Sequence, residues 1–318
     1  MRKKLPSTRK ILRRFIKMLA VIFLLMNVIA LFHAYKFTHF SSETSTQIRK
    51  PVDLTTAQKL KMLLFGINNP QPVNKEKPTQ PYQTLILQSN KKIECWSIKS
   101  PNAKGTVVIF HGYGGNKSGM IDRSDEFIKM GYNTLLVDFM GSGNSEGNQT
   151  TIGFYEAEQV KTCFEYLQQQ GEKNIVLFGT SMGAVAVLKA IDDYGIKPNS
   201  IILECPFGTM YQTVCARFNA VGAPAFPMAG LLMFWGGTEN GFWAFSHNPV
   251  DYAKTVHCPA LLLYGEKDGR VSRSEIDAIF TNFQGPKQLT TYPLAGHENY
   301  LIKYHDAWVN DVSGFLSK

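Results

Sequence analysis

Hydrophobic positions along residues 82–318 come in short unbroken runs separated by amphipathic stretches. Thr106–Phe110, Asn133–Val137, Ile175–Phe178, Ile201–Leu203, Ala260–Tyr264 and Leu289–Tyr292 are too short for helices and too continuous for one-sided strands. They predict strands buried on both faces. Between them, helical periodicity predicts helices over Ser118–Met130, Glu156–Gln170, Met182–Asp193, Arg273–Phe283 and His305–Leu316. In Glu156–Gln170, for example, Val160, Phe164 and Leu167 share one face and Gly171 supplies the stop. Ahead of these, Thr84–Leu87 and Ile93–Ile98 read as an antiparallel pair at a sheet edge, joined through Ser89-Asn90-Lys91. Apolar strands alternating with helices predict an α/β domain, a mostly parallel sheet with helices on both faces. One long interruption, about 206–259, is expected to form a small helical cap.

The first 81 residues follow another pattern. Residues 1–17 are a basic tail. Met18–Phe32 is almost wholly apolar, interrupted by Asn27, and the segment 18–35 is just long enough to span a bilayer as a helix. Neither Ala30-Leu31-Phe32 nor His33-Ala34-Tyr35 makes a convincing small-residue cleavage site. We therefore expect an uncleaved transmembrane signal-anchor, with a cleaved secretory signal as the competing reading. The basic tail should stay cytoplasmic and the rest lie on the extracytoplasmic side. Residues 36–81 read as a tether and linker. Within them Leu54–Gly66 has the pattern of a short helix, and Asn68–Pro81 carries four prolines and should be extended.

Charge sharpens this division. The chain of 318 residues has a net charge of +9, from 34 basic and 25 acidic residues. Nine of the basic residues and no acid lie in residues 1–36, so the remaining 25 basic residues balance the 25 acids. The excess bears on membrane topology and gives no reason to expect nucleic acid binding. The five cysteines, Cys95, Cys163, Cys205, Cys215 and Cys258, are odd in number and scattered, without metal spacing or a disulfide framework. They read as small buried apolar residues.

In a parallel sheet the reactive groups belong on loops at the carboxyl ends of the strands. Gly179-Thr180-Ser181-Met182-Gly183 sits between a predicted strand and helix and fits G-x-S-x-G. Such a corner aims a serine outward as a nucleophile, above a helix N-terminus that favours developing negative charge. His111-Gly112-Tyr113-Gly114-Gly115-Asn116 is a glycine-rich turn after a strand. The N–H groups of Tyr113 and Met182 are the candidate oxyanion donors. Asp268, in Gly265-Glu266-Lys267-Asp268, is the candidate acid, with Glu266 and Glu204 as rivals. His297, on the small-residue turn after the last strand, is the candidate base. Ser181, Asp268 and His297 then fall in the order Ser, acid, His. Asp138 comes too early for that role and reads as a structural carboxylate.

These motifs, together with Asp138-Phe139-Met140-Gly141-Ser142-Gly143-Asn144-Ser145, resemble the α/β-hydrolase superfamily over residues 82–318. Within it the chain is similar to bacterial serine hydrolases grouped with monoacylglycerol lipases and serine aminopeptidases. The resemblance implies Ser181 as nucleophile, His297 as base, Asp268 as orienting acid, and Tyr113 and Met182 at the oxyanion. It implies no metal and no organic cofactor. One departure is visible: Met140 stands where the family usually carries Arg.

The expected activity is hydrolysis of carboxylic esters, lipid-like or other small acyl substrates, by a membrane-held enzyme through an acyl-enzyme. A serine peptidase, an acyltransferase of the same fold, and an inactive binding module are the alternatives. The insert 206–259 holds Phe207, Met210, Tyr211, Phe218, Phe226, Met228, Met233, Phe234, Trp235, Phe242, Trp243 and Phe245. These residues either line an acyl pocket or form the cap's own core.

Overall fold

The computed structural model describes residues 8–42, 55, 61–62, 64–220 and 222–318. The chain enters through α1 (Thr8–Thr38), one continuous helix of 31 residues. It is long and apolar enough to cross a membrane. Its face is divided along its length. From Thr8 to Leu25 every residue is exposed, whereas Ala30, Ala34 and Thr38 are buried at a spacing of four. The strand β1 (Phe40–Ser41) then pairs in parallel with β2 (Asn69–Pro70). The predicted helix Leu54–Gly66 lies largely outside the described residues; 61–62 and 64–65 are helical and precede Gly66.

The main sheet has eight strands, β3 (Tyr82–Gln88), β4 (Lys92–Ile98), β5 (Thr106–Phe110), β6 (Asn133–Val137), β7 (Ile175–Thr180), β8 (Ser200–Glu204), β9 (Ala260–Gly265) and β10 (Lys287–Tyr292). Their spatial order is β10-β9-β8-β7-β5-β6-β4-β3. All pairings are parallel except those that β4 makes with β3 and β6. The strands are rich in β-branched residues, and β5 is buried at all five positions.

Strand pleat sends alternate residues into two separate cores. Val108 and Phe110 of β5 join one, Val107 and Ile109 the other. The first core is covered by α3 (Glu156–Gln169) and α4 (Met182–Tyr194), the second by α2 (Ile121–Lys129) and the C-terminal α10 (His305–Leu316). Helix α4 is buried at every position from Met182 to Ile191, which explains a sequence there that is apolar all round.

Between β8 and β9 the insert forms α5 (Met210–Ala220) and α6 (Met228–Asn240), followed by the short α7 (Pro249–Tyr252). Helix α6 packs along the second half of α1, and the Trp235 Nε1–H donates to Asn27 Oδ1 at 3.1 Å. The chain closes through α8 (Arg273–Asn282), started by a Ser272/Glu275 capping box, and the short α9 (Tyr300–Lys303). This is the α/β-hydrolase architecture, with a small helical cap and an apolar N-terminal helix.

Candidate active site

The nucleophile corner is built by two close approaches. A Cβ on Gly179 would come within 2.6 Å of the Ala184 nitrogen, and one on Gly183 within 2.5 Å of the Phe110 carbonyl oxygen. Only glycine lets β7 turn so sharply into α4 against β5. Between them Ser181 is held at φ +53° and ψ −111°, a conformation costly for a residue with a Cβ. The Ser181 N–H donates to the Glu204 carbonyl at 2.7 Å, fixing the corner to the next strand.

Three side chains from three loops meet there. His297 Nε2 lies 3.0 Å from Ser181 Oγ, and His297 Nδ1 lies 2.7 Å from Asp268 Oδ2. The second oxygen of Asp268 accepts the Arg270 and Val271 N–H groups at 2.7 and 3.0 Å. The carboxylate is thus fully engaged and its side chain is buried. With Asp268 ionised, Nδ1 carries the proton and Nε2 is left as the acceptor facing the serine. Burial has the largest influence on the ring and lowers its pKa. Cys205 and Asp268 together raise it by more, so the pKa ends above the ordinary 6.5.

The candidate oxyanion turn is anchored from outside the loop. His111 is buried, and its Nε2 accepts the Phe139 N–H at 3.1 Å while Nδ1–H donates to the Gly112 carbonyl at 2.8 Å. Burial lowers the His111 pKa, consistent with this neutral tautomer. Met182 begins α4, so its N–H has no acceptor within the helix. The Tyr113 hydroxyl donates to the Phe37 carbonyl of α1 at 2.7 Å, and the Phe37 and Tyr113 rings stack 4.6 Å apart.

The rival carboxylates are occupied elsewhere. Glu204 is fully buried and accepts bonds from Arg123 Nη2 at 3.1 Å, Thr180 Oγ1 at 2.9 Å and Trp308 Nε1 at 2.8 Å. Glu266 accepts the Thr291 hydroxyl at 2.9 Å. Asp138 takes the Lys117 ammonium, the Lys117 N–H at 2.7 Å and Asn74 Nδ2 at 2.7 Å, so it braces the start of the oxyanion loop. Glu204→Ala should destabilise the fold by about 3 kcal/mol, because it leaves the buried Arg123 with Asp122 alone as its counter-charge and removes the acceptor of Trp308 and Thr180. Urea unfolding monitored by tryptophan fluorescence measures this, and Glu204→Gln should lose less.

Cys205 is a neighbour that sequence patterning missed. It follows β8 directly, is buried, and has φ +41°. Its sulfur, an Asp268 oxygen and a His297 nitrogen all lie within 4.8 Å of one another. A cation on these three would take the nitrogen or the carboxylate that the serine contact uses. The available signal was its place at the carboxyl end of a strand, which burial-prone cysteine composition masked.

The side chains gathered at Ser181 have the geometry of a serine hydrolase site. The chain has the α/β-hydrolase fold. Residues 101–235 match the family described as serine aminopeptidase, S33, a stretch that holds the oxyanion turn and Ser181 but ends before Asp268 and His297. Among relatives, YqkD of Bacillus subtilis, itself described as uncharacterized, is 24% identical over 70% of this chain and 75% of its own length. The lysophosphatidylserine lipase ABHD12 of Danio rerio is 26% identical over 54% of this chain and 46% of its own. Among solved structures, the esterase Pf2001 of Pyrococcus furiosus superposes with a TM-score of 0.66 at 22% identity, over 79% of this chain and 97% of that one.

Proposed function

We propose that the protein is a membrane-held carboxylic ester hydrolase in which Ser181 is the nucleophile, His297 the base and Asp268 the acid that orients it. The observation carrying this reading is the unbroken contact from Ser181 Oγ through the His297 ring to Asp268, at 3.0 and 2.7 Å. In the reaction, His297 Nε2 takes the Ser181 proton as Oγ attacks the acyl carbon. The N–H groups of Tyr113 and Met182 receive the oxyanion. The tetrahedral intermediate collapses, and the alcohol leaves with the proton from His297. Water then attacks the acyl-enzyme, again giving its proton to His297, and the acid is released with Ser181 restored.

Lipid-like acyl esters are supported by the apolar cap and by the lipase activity of the ABHD12 relative. Membrane attachment through α1 is supported by its length and its exposed apolar surface, and the basic tail favours a cytoplasmic N-terminus. A reporter fused after Lys318 should be active outside the cytoplasm; activity inside reverses the orientation.

The test of the activity is a fluorophosphonate label on the purified full chain, followed by p-nitrophenyl esters of rising chain length beside aminoacyl anilides. Labelling and ester turnover are expected. Absence of labelling defeats the enzyme reading, and a preference for anilides makes the protein a peptidase. A thiol or alcohol acceptor that diverts the acyl group from water would make it a transferase.

The pH profile follows from the His297 environment. The base must be neutral to accept the serine proton, and its pKa is raised. kcat/KM should therefore rise with pH along an acid limb centred above 6.5, the ordinary histidine value. A limb at or below that value would show that Asp268 does not hold the ring's charge.

A further inference from the structure

A cavity of about 420 Å³ lies between the end of α1 and the cap. Its walls include Ala34 and Phe37 of α1, Val214 and Phe218 of α5, Met233 of α6, and Ile152. The volume is that of a small-molecule site, and the lining is mostly apolar. Its permanent charge comes from Arg217 on α5.

None of Ser181, Asp268 and His297 lines this cavity, but both candidate oxyanion residues adjoin it. Phe37 stacks on Tyr113 and accepts its hydroxyl. The turn carrying Ile152 reaches Met182, where Thr150 Oγ1 lies 3.3 Å from the sulfur. Phe37 is thus shared between the cavity wall and the stack on Tyr113.

Arg217 is the unexplained group. Its guanidinium carbon lies 4.0 Å from the Phe37 ring centre and 5.4 Å from that of Tyr113. Among the described residues, no carboxylate forms an ion pair with Arg217 or with Arg270, whose like charge opposes it. It is accessible, yet protein atoms crowd around it, because it faces the cavity as well as open solvent. A guanidinium stacked on two rings, with no carboxylate partner among the described residues, is suited to receive an anion.

The position along α1 indicates where the ligand comes from. Met18 to Leu25 is exposed on all sides, and from Met26 onward the helix packs on α6. Eight residues of free apolar helix rise only about 12 Å, less than half a hydrocarbon core. For α1 to span a bilayer, the part packed on the cap must also enter it. The cap carries exposed aromatic side chains for such a surface, Phe226 at 83% and Trp243 at 59% exposure, with Phe234 on α6 itself.

We propose that this cavity binds a one-chain anionic amphiphile drawn from the bilayer, its chain between α1 and the cap and its anionic group on Arg217. The anchor helix is then part of the ligand site. Two sources share this chemistry: an ester substrate with an anionic headgroup, and a free fatty acid. The substrate arm rests on the proposed role of Ser181, but binding does not.

Binding is read on the full chain in nonionic detergent with Ser181→Ala, using a dodecanoate carrying a terminal diazirine and the matching neutral alcohol. Photolabelling by the acid should fall on residues 33–38, 210–218 and 229–237. Val214→Trp, or independently Ala34→Phe, fills the cavity and should cut that labelling about tenfold. Arg217→Gln should lower labelling by the acid to the level of the alcohol. Labelling confined to the exposed residues 11–25, or unchanged by the two cavity-filling variants, overturns the proposal. So does equal labelling by acid and alcohol in the parent protein.

The second arm measures hydrolysis, per fluorophosphonate-reactive serine, of p-nitrophenyl dodecanoate against acetate and of a monoacylglycerol with and without a phosphate. If the occupant is the substrate, Val214→Trp lowers the dodecanoate-to-acetate ratio about tenfold and Arg217→Gln abolishes a preference for the phosphate-bearing lipid. If photolabelling falls and these ratios hold, the cavity binds a free fatty acid. A parent protein with no reactive serine defeats the role of Ser181, while the photolabelling still decides the cavity.

Discussion

Replacing Ser181 by alanine is expected to lower kcat on esters by about a millionfold and to abolish fluorophosphonate labelling. The loss is large because, in the proposed roles, the serine, its base and the acid act as a unit and the nucleophile has no substitute. Cys205 is the other nucleophilic atom near His297, but it is buried and continues β8 rather than topping the corner. The fold should survive, since among the described contacts the Ser181 side chain bonds only His297. Stability offers a second reading of the same residue. Ser181 sits at φ +53°, where alanine is strained and glycine is not. Ser181→Gly should therefore be as inactive as Ser181→Ala yet more stable by about 1 kcal/mol. Circular dichroism melts and label incorporation measured together test both. Retained turnover in Ser181→Ala would move the nucleophile elsewhere, and a glycine variant less stable than the alanine one would contradict the strain.

Much of this site is local in sequence and was legible there. The glycines around Ser181 follow from a strand-to-helix corner, and Asp268 and His297 stand on loops at the carboxyl ends of β9 and β10. What sequence could not reveal is contact between distant segments. Asn27 and Trp235 are 208 positions apart, and no periodicity announces that an apolar N-terminal helix will pack on a cap helix. The same is true of the stretch read as a linker. Asn69 Nδ2 donates to the Tyr113 hydroxyl at 3.2 Å and Asn74 reaches Asp138, so residues before the sheet brace the oxyanion loop. The aromatic insert was ambiguous for a related reason. Composition alone cannot separate Met233 and Phe242, which face the cavity, from Phe226 and Trp243, which face outward.

Asp268→Asn is expected to lower kcat about 10⁴-fold while leaving KM for short esters little changed. The argument runs through the tautomer. Oδ2 of Asp268 accepts the proton of Nδ1, and Oδ1 is committed to the N–H groups of Arg270 and Val271. Those two amides are donors, so an asparagine must turn its carbonyl oxygen toward them and its NH₂ toward the ring. The imidazole then accepts at Nδ1 and carries its proton on Nε2, pointing at a serine that needs an acceptor there. The imidazolium formed during attack also loses its counter-charge. Glu266 lies in the same loop but bonds Thr291, so Glu266→Gln should change kcat less than threefold, the scale of a modest surface perturbation of about 0.5 kcal/mol. The acid limb of kcat/KM should fall in Asp268→Asn, because of the two groups that raise the ring's pKa, Cys205 and Asp268, the carboxylate is gone. Equal losses in the two variants would dissolve the distinction between these carboxylates. An unshifted acid limb would mean that Asp268 supports the loop rather than the base.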